Sequence, residues 1–401
     1  MNWLDLFVEQ TDIVGVETPR VWLYWSALTT ISAVVAPNIW VPKGAYNIKP
    51  NLFVLLVGSS GKGKGFGPNL SKDLVKMVGN TRVISGKGTI EGIIKELALV
   101  RANPDGSIPF KDARGYLCSG EFAATLYNSK DALVALTDLY DSYYNKEWQN
   151  FLKNSPVDKL KLPCLTLLSG ANQEMFDLVI DKAHRSGGFI GRTLLIEASS
   201  RQRANSMIYA EGEDIPQMDL EKLACHLKDM AKFEGPMVWS NKAKEAYDEW
   251  FYPYRGFEHD DKTGTYERLN DHVIKVIACL TLAKRKVMRI EVSEVEEAIE
   301  VCSSLSNTAR QVAGMKGDSS TADIAKSLLM LMFRAEDFTM SRRLALQKGW
   351  GQFDAIELDK IVDYLSQAGF LTQPKGGGSE IKYKLTKNAI DWWEKKNKEI
   401  K

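Results

Sequence analysis

Short apolar runs alternate with amphipathic stretches between residues 50 and 200, and this alternation is the clearest pattern in the chain. The apolar runs have the length of buried β-strands. They lie at 52–57, 82–85, 115–118, 165–169 and 192–197. The stretches between them predict helices at 65–78, 89–102, 121–128, 131–143 and 173–183. Strands that alternate with helices indicate an α/β domain with a mainly parallel sheet covered on both faces.

The segments on either side of this region, which we place at 49–215, have different patterns. Residues 1–48 predict a helical N-terminal segment, with Thr18-Pro19 capping an apolar helix. Residues 216–315 lack strand signals and predict an all-helical region. After a glycine-rich linker, residues 321–401 predict three helices followed by a two-stranded wing, which is the winged-helix pattern.

Composition narrows the class of protein without naming its partner. The chain has 401 residues, of which 44% are hydrophobic and 26% charged, and its net charge is +1. These values are typical of a globular protein and argue neither for nor against binding of nucleic acid.

The apolar stretch at 21–36 is shorter than the roughly 20 residues that span a bilayer, so we expect no membrane association and a cytoplasmic location. Five scattered cysteines and four histidines form no ligand spacing, so we predict no metal site made of protein ligands alone.

A glycine-rich loop follows the first apolar run and precedes a helix. The loop comprises residues 58–65, which are Gly58, Ser59, Ser60, Gly61, Lys62, Gly63, Lys64 and Gly65. Phe66 follows directly and is counted with the candidate nucleotide-binding residues. The spacing GxxxxGK between a strand and a helix is typical of loops whose amides and lysine bind nucleotide phosphates. The alternative is an ordinary glycine turn that holds two lysines.

Two positions depart from the full nucleotide-binding pattern. Gly65 stands where a Ser or Thr hydroxyl normally contacts Mg²⁺. A second apolar run ends in Gly120-Glu121, where an Asp-Glu pair is usual, so Glu121 is the candidate base and the metal-holding acid is missing. Either Mg²⁺ is held by phosphates, waters and another acid such as Asp138 or Asp141, or hydrolysis is weak. The alternative for Glu121 is a helix cap.

The order of these motifs resembles AAA+ P-loop ATPases of the minichromosome-maintenance-like helicase type. It is most similar to phage and mobile-element P-loop proteins of unknown function found beside primases. The stretch 166–172 looks like their sensor 1 strand ending in Asn172, and 187–192 looks like their arginine-finger segment ending in Arg192. Tyr266-Glu267-Arg268 looks like the opening of the lid, with Arg268 as sensor 2.

The resemblance implies an AAA+ core, an all-α lid, bound ATP and Mg²⁺, and a homo-hexameric ring in a bacterial host cell. It implies that Arg192 acts on the nucleotide of a neighbouring subunit, although Arg185, Arg201 and Arg203 are rivals for that role. A helical Arg268 beside Glu267 is also compatible with a solvated ion pair.

A basic and aromatic segment lies between the two central strands. Its lysines are Lys146, Lys153, Lys159 and Lys161. The resemblance implies a hairpin in the pore of the ring, where lysines meet phosphates of single-stranded DNA and aromatics stack on bases. An ordinary solvated hairpin is the alternative.

These patterns predict an ATP-hydrolysing, ring-forming DNA motor, a replicative helicase of a phage or mobile element with a primase or polymerase as a further partner. The alternative is a non-motor assembly protein that nucleotide stabilises and that binds DNA or a primase. The two altered magnesium contacts favour this second hypothesis.

Overall fold

The computed structural model describes most of the chain and divides it into two compact units, residues 1–313 and 314–401. The described residues are 2–36, 38–99, 112–122, 132–141, 147–150, 158–172, 188–198, 206, 208–255, 263–303, 305, 308, 325, 328–329, 331–333, 335–348, 355–372 and 381–391.

The first unit is an α/β structure. Its helices are α1 (Trp3–Ile13), α2 (Arg20–Val35), α3 (Phe66–Val78), α4 (Ile90–Ala98), α5 (Ala132–Asp141), α6 (Phe189–Arg192), α7 (Leu220–Met230), α8 (Asn241–Arg255), α9 (Thr265–Arg285) and α10 (Val292–Ser303). Its strands are β1 (Ile39–Lys43), β2 (Tyr46–Ile48), β3 (Phe53–Val57), β4 (Arg82–Ile84), β5 (Arg114–Ser119), β6 (Glu147–Asn150), β7 (Asp158–Lys161), β8 (Cys164–Ala171), β9 (Thr193–Glu197), β10 (Gly235–Pro236), β11 (Val238–Trp239) and β12 (Arg289–Ile290).

Five strands form a parallel sheet in the order β4-β5-β8-β3-β9. The predicted α/β class and parallel sheet are therefore confirmed. The chain leaves β3 for the edge strand β4, returns through β5 and β8, and then crosses to β9 on the other side of β3. Because the strand order reverses around β3, the carboxyl end of β3 lies at a topological switch point, where open α/β sheets bind ligands.

Both faces of the sheet are covered, and this is why its strands are apolar throughout. Along β3, Val54 and Leu56 join one hydrophobic cluster, with α1, α2, α3 and the helices beyond residue 219. Phe53, Leu55 and Val57 join a second cluster with α4, α5 and α6. All five side chains are buried, as the period of two in a strand requires when both faces are covered.

Helix α2 lies inside the first cluster, and 13 of its 16 residues are buried. The predicted apolar helix is thus a core helix, which explains why its apolar residues surround it rather than form one stripe. Within the described part of the chain, none of the helices combines the length and apolarity needed to cross a bilayer.

Some short strands were not predicted. Residues 1–48 contain not only α1 and α2 but also the antiparallel pair β1 and β2. The region expected to be wholly helical contributes β10 to that sheet, and β11 pairs with β12. These strands have two to five residues, too few for a hydrophobic period to appear in the sequence.

The second unit contains β13 (Thr339–Ser341), α11 (Arg342–Lys348), α12 (Ala355–Gln367) and β14 (Lys382–Lys384). Strands β13 and β14 pair antiparallel, and Leu371 forms a bridge with Leu385. The sequence predicts the second and third helices of this region at 341–349 and 353–368, and α11 and α12 lie within these ranges, whereas β13 was not predicted. The acidic side chain of Asp359 on α12 accepts hydrogen bonds from Arg342 at 2.8 and 3.0 Å.

Candidate phosphate-binding site

The glycine-rich loop connects the carboxyl end of β3 to the first turn of α3. Gly65 is the N-cap of α3 and has helical dihedral angles. The loop therefore lies at the switch point of the sheet and at the positive end of a helix that is 13 residues long. Both features favour a bound anion.

The loop is curled, and its curvature depends on two glycines. Gly61 and Gly63 have φ angles of 79° and 80°, a region that residues with a Cβ rarely adopt. The Nζ of Lys64 turns back into the loop and donates hydrogen bonds to the carbonyl oxygens of Gly58 and, at 3.0 Å, Ser59. The ammonium group of Lys64 is thus held inside the concave side of the loop.

Lys64 is only 6% exposed, and burial lowers the pKa of its ammonium group. The charge of Glu121 opposes this shift and the charge of Lys62 adds to it. A bound phosphate would favour the charged form of Lys64 in the same way as Glu121 does. Ser59, Ser60 and Gly61 of the same loop are exposed to solvent.

The N-terminal helical segment supports the loop from behind. Thr18 donates a hydrogen bond from Oγ1 to the carbonyl oxygen of Gly63 at 3.2 Å. A Cβ added to Gly58 would lie 2.7 Å from the Trp22 ring, and one added to Gly67 would lie 2.2 Å from the Ser26 hydroxyl. Residues 18, 22 and 26 are spaced by four, so one side of this segment contacts three glycines in and beside the loop.

These supporting residues were not among the predicted site residues. The available signal was the four-residue spacing of Thr18, Trp22 and Ser26 next to a loop rich in glycine. Such a spacing is common in helices and says nothing about which element it faces, so only the structure identifies this contact.

Two further predicted residues lie beside the loop. The amide of Gly58 donates to the carbonyl oxygen of Ala171 at 3.1 Å, so Asn172 follows directly next to the start of the loop. Glu121 comes two residues after the end of β5, which pairs with the other side of β8, and its charge acts on Lys64. The parallel sheet therefore brings Lys64, Glu121 and Asn172 to one edge.

Gly65 and Gly120 also meet at this edge. A Cβ on Gly65 would lie 4.0 Å from the Cα of Gly120, and a Cβ on Gly120 would lie 3.8 Å from the Cα of Gly65. The two positions that usually contact Mg²⁺ are therefore neighbours, and neither has a side-chain oxygen. Within the described ranges, no group of three or more His, Cys, Asp or Glu residues is arranged to hold a metal ion. The residues at these two positions therefore do not provide the side-chain oxygens with which a protein usually contacts magnesium.

Arg192 lies at the other edge of the sheet. It directly precedes β9, whose first residue Thr193 pairs with Phe53 at the start of β3. Five residues of β3 rise roughly 16 Å, which separates Arg192 from the loop of its own chain. Its guanidinium group donates to the Asp141 carboxylate at 2.5 and 2.8 Å and to the carbonyl oxygen of Gly188 at 3.0 Å.

Asp138 and Asp141 belong to this same edge, because both lie in the last turn of α5. Asp141 pairs with Arg192, and Asp138 accepts a hydrogen bond from the Trp148 indole at 2.5 Å. The suggestion that either acid replaces a magnesium contact in its own chain is therefore wrong, since the sheet separates them from the loop. The rival arginines at 185, 201 and 203 lie outside the described residues.

Arg268 lies in the first turn of α9, close to Arg192. A Cβ on Gly264 would be 3.2 Å from Nη1 of Arg268. Burial lowers the pKa of Arg268, the charge of Arg192 lowers it further, and Asp141 opposes both. The two predicted arginines are thus close enough to act on each other electrostatically. Arg192, together with Thr137 and Asp141, also lines a cavity of about 550 Å³.

The predicted hairpin is present as strands β6 and β7, which pair antiparallel. Lys159 and Lys161 are exposed on either side of the buried Leu160. The carbonyl oxygen of Lys161 accepts from the amide of Ala113, just before β5, so the hairpin lies at the Arg192 edge of the sheet. Lys146 and Lys153 lie outside the described residues.

A buried lysine that was not singled out in the sequence lies below β3. Lys275 on α9 is 1% exposed and donates to the backbone and side-chain oxygens of Asn51 at 3.0 and 2.8 Å. Its Nζ also lies 3.7 Å from the centre of the Tyr140 ring. Burial lowers the pKa of Lys275 to about 7. Lys275 connects α9 to the residue that leads into β3.

No protein-family model matches this chain, and a search of curated proteins finds no significant match. The functional assignment therefore rests on the geometry of the glycine-rich loop and of the two edges of the sheet.

Proposed function

We propose that this protein binds ATP in the glycine-rich loop and hydrolyses it as a ring-forming ATPase of the AAA+ type. The observation that carries the proposal is the position of Lys64, whose ammonium group lies inside a curled loop at the switch point of a parallel sheet. The β- and γ-phosphates would take the place of the loop carbonyls as partners of Lys64. The amides at the start of α3 would complete the contact.

The chemistry would be attack of a water molecule on the γ-phosphate. Glu121 is exposed just after β5, which is separated from β3 by β8, and it would orient this water and accept its proton. Asn172 would hydrogen-bond the water or the γ-phosphate without adding negative charge. Lys64 would stabilise charge on the phosphate oxygens as the bond to the leaving group breaks.

Arg192 would serve the nucleotide of an adjacent subunit. Its separation from the loop of its own chain, by the full length of β3, supports action between subunits rather than within one. A closed ring, with six copies as the working number, would bring one subunit's Arg192 edge to the next subunit's loop. Arg268 would act at the same interface, because it shares the environment of Arg192.

The hairpin would contact single-stranded DNA in the centre of the ring. Lys159 and Lys161 are exposed at the same edge of the sheet as Arg192, so the two lysines would be accessible to DNA there. Lysines in a pore bind phosphates without reading sequence. With residues 216–315 as a lid and residues 321–401 as a winged helix, the protein would act as a phage or mobile-element replicative helicase beside a primase or polymerase.

A second function is supported by the Gly65–Gly120 contact. A site without the usual magnesium contacts would hydrolyse ATP slowly, so nucleotide would act chiefly to stabilise an assembly that binds DNA or a primase. Strand separation coupled to DNA-stimulated phosphate release distinguishes the motor, whereas ATP-dependent assembly without strand separation favours this second function.

Calorimetric titration of ATP into two lysine variants tests the shared part of both functions. Lys64→Ala removes the ammonium group from the loop, and we expect ATP binding to be lost. Lys76→Ala removes an exposed lysine from the last turn of α3 and is the matched control, for which binding is expected to persist. Equal affinities of Lys64→Ala and the wild type would refute the proposed site.

A further inference from the structure

Gly65 and Gly120 are neighbours across the gap between the glycine-rich loop and the end of β5. Each Cα lies within 4.0 Å of the place where the other residue would carry a Cβ. In phosphate loops of this spacing, the first position supplies a hydroxyl and the second a carboxylate to Mg²⁺. The protein therefore lacks both oxygens at one place rather than at two unrelated places.

Neither glycine is required by the backbone. Gly65 has φ −78° and ψ −17°, and the φ of Gly120 lies outside the left-handed region. A Cβ on either residue would make only ordinary contacts, the nearest at 3.8 and 3.9 Å. This contrasts with Gly58 and Gly67, where a Cβ would collide with Trp22 and Ser26. A Cβ would therefore fit at residue 65 or at residue 120, and the chain does without one at both.

The hydroxyl groups of Ser119 and Ser169, on the two strands β5 and β8, bond to each other. Ser119 shares a 2.8 Å hydrogen bond with the hydroxyl of Ser169 and also donates to the carbonyl oxygen of Glu121 at 3.1 Å. Gly170, beside Ser169, has no room for a side chain, because its Cβ would lie 2.4 Å from the carbonyl oxygen of Gly120. These contacts hold the end of β5 close to β8.

Positive charge at the loop comes instead from two lysines. Lys64 lies inside the loop, and Lys62 is close enough for its charge to lower the pKa of Lys64. Two ammonium groups and the start of α3 offset the negative charge of a triphosphate in the way that an ion otherwise does.

We propose that the glycine-rich loop binds nucleoside triphosphate without needing a divalent cation, because the Gly65–Gly120 pair removes both protein contacts through which the cation normally strengthens binding. This inference rests on the proposed function, since it concerns the same loop. It predicts that affinity depends on the two lysines and hardly at all on magnesium.

The test is calorimetric titration of the non-hydrolysable analogue AMP-PNP into the full chain, once with excess Mg²⁺ and once with EDTA. For the wild type we expect the two dissociation constants to agree within about threefold. For the double variant Gly65→Thr with Gly120→Asp, which supplies both oxygens, we expect binding with Mg²⁺ to become at least about tenfold tighter than binding with EDTA.

The matched control is Gly65→Ala with Gly120→Ala, which fills the same space without oxygen. The affinity of this control for AMP-PNP can differ from that of the wild type. Its dissociation constants with Mg²⁺ and with EDTA, however, are expected to agree within about threefold. If the Thr/Asp variant does not fold, the wild-type ratio and the single variant Gly65→Thr decide the matter, since one added hydroxyl already predicts a rise in that ratio.

The outcomes separate this inference from the proposed function. Wild-type binding that requires Mg²⁺ would overturn the inference and leave the nucleotide site in place. No binding under either condition would overturn the nucleotide site itself. A folded Thr/Asp variant whose ratio stays near one would show that the glycine pair does not set the response to magnesium.

Discussion

The indole ring of Trp22 lies against Gly58, at the point where β3 passes into the glycine-rich loop. A Cβ on Gly58 would lie 2.7 Å from this ring, and the ring nitrogen donates to the carbonyl oxygen of Ile196 at 2.9 Å. Trp22 is fully buried, so a displaced ring would have to push against the protein interior. The first residue of the loop is therefore positioned by a helix from the N-terminal segment.

This contact predicts that Gly58→Ala destabilises the protein. One added methyl group must displace a buried ring, and overpacking of this kind costs about 1–3 kcal/mol. Gly88→Ala is the control, because its Cβ would meet nothing within 4 Å, and we expect a change below about 0.5 kcal/mol. Urea unfolding of both variants gives the free energies, and equal stabilities would contradict the packing described for Trp22.

The position of Arg192 predicts complementation between two inactive variants. Lys64→Ala would not hold nucleotide, and Arg192→Ala would hold it but turn it over slowly. In a mixed ring, an intact loop of one subunit can meet an intact Arg192 of another, so phosphate release should recover when the two variants are combined. The control mixture combines Arg192→Ala with the double variant Lys64→Ala and Arg192→Ala. No subunit in it has an intact Arg192, so phosphate release should not recover. Absence of recovery in the first mixture would argue against action between subunits.

The exposed hairpin lysines predict a loss of DNA affinity that depends on salt. Removing phosphate contacts lowers the number of counterions released on binding, by about one for each lysine. Lys159→Ala with Lys161→Ala should therefore weaken binding of a single-stranded oligonucleotide and flatten the dependence of affinity on salt. Lys222→Ala with Lys228→Ala removes two exposed lysines from α7 and should leave the salt dependence unchanged. Fluorescence anisotropy over a range of salt concentrations measures both.

The lowered pKa of Lys275 predicts that the free energy of unfolding rises with pH above neutrality. Its pKa is lowered by burial from 10.5 to about 7 in the folded protein, with Asp141, Asp271 and Cys164 opposing and Arg192 adding to the shift. Between these two values the unfolded chain binds more protons than the folded chain, so its free energy of unfolding increases as pH rises through this window. Below pH 7 Lys275 is charged in the folded protein as well, and the full free-energy cost of burying this charge then lowers stability.

Lys275→Met removes this titration while keeping an unbranched side chain. Urea unfolding at several values between pH 7 and pH 10 should show a smaller rise in stability for the variant than for the wild type. Parallel curves for the two proteins would mean that Lys275 does not titrate in this range.

Much of the α/β unit could be predicted from the sequence because its signals are local. The strand at Phe53–Val57 and the helix at Phe66–Val78 were predicted within one residue of their bounds. An apolar run that is buried on both faces, followed by glycines and an amphipathic stretch, specifies this order of elements with little help from distant residues. The candidate phosphate-binding loop followed from the same stretch.

The positions of the charged residues could not be predicted in this way. Arg192 and Glu121 are both candidates by motif, but only the parallel sheet places Glu121 beside the loop and Arg192 about 16 Å away, at the start of the strands. Asp138 and Asp141 were suggested as alternative magnesium contacts, but the last turn of α5, where both lie, is at the Arg192 edge of the sheet. Their true partners, Trp148 and Arg192, follow from the pairing of elements far apart in sequence.

The sequence by itself determined the main strands and helices of the parallel-sheet region, the glycine-rich loop with its lysines, and the absence of oxygen at residues 65 and 120, because these depend on residue type and close spacing. Only the tertiary structure decided that those two glycines face each other, that Trp22 packs against Gly58, and that Arg192 lies at the edge away from the loop. Contacts of this kind arise when a sheet and its covering helices bury their apolar faces together, and burial selects neighbours by shape rather than by position in the chain.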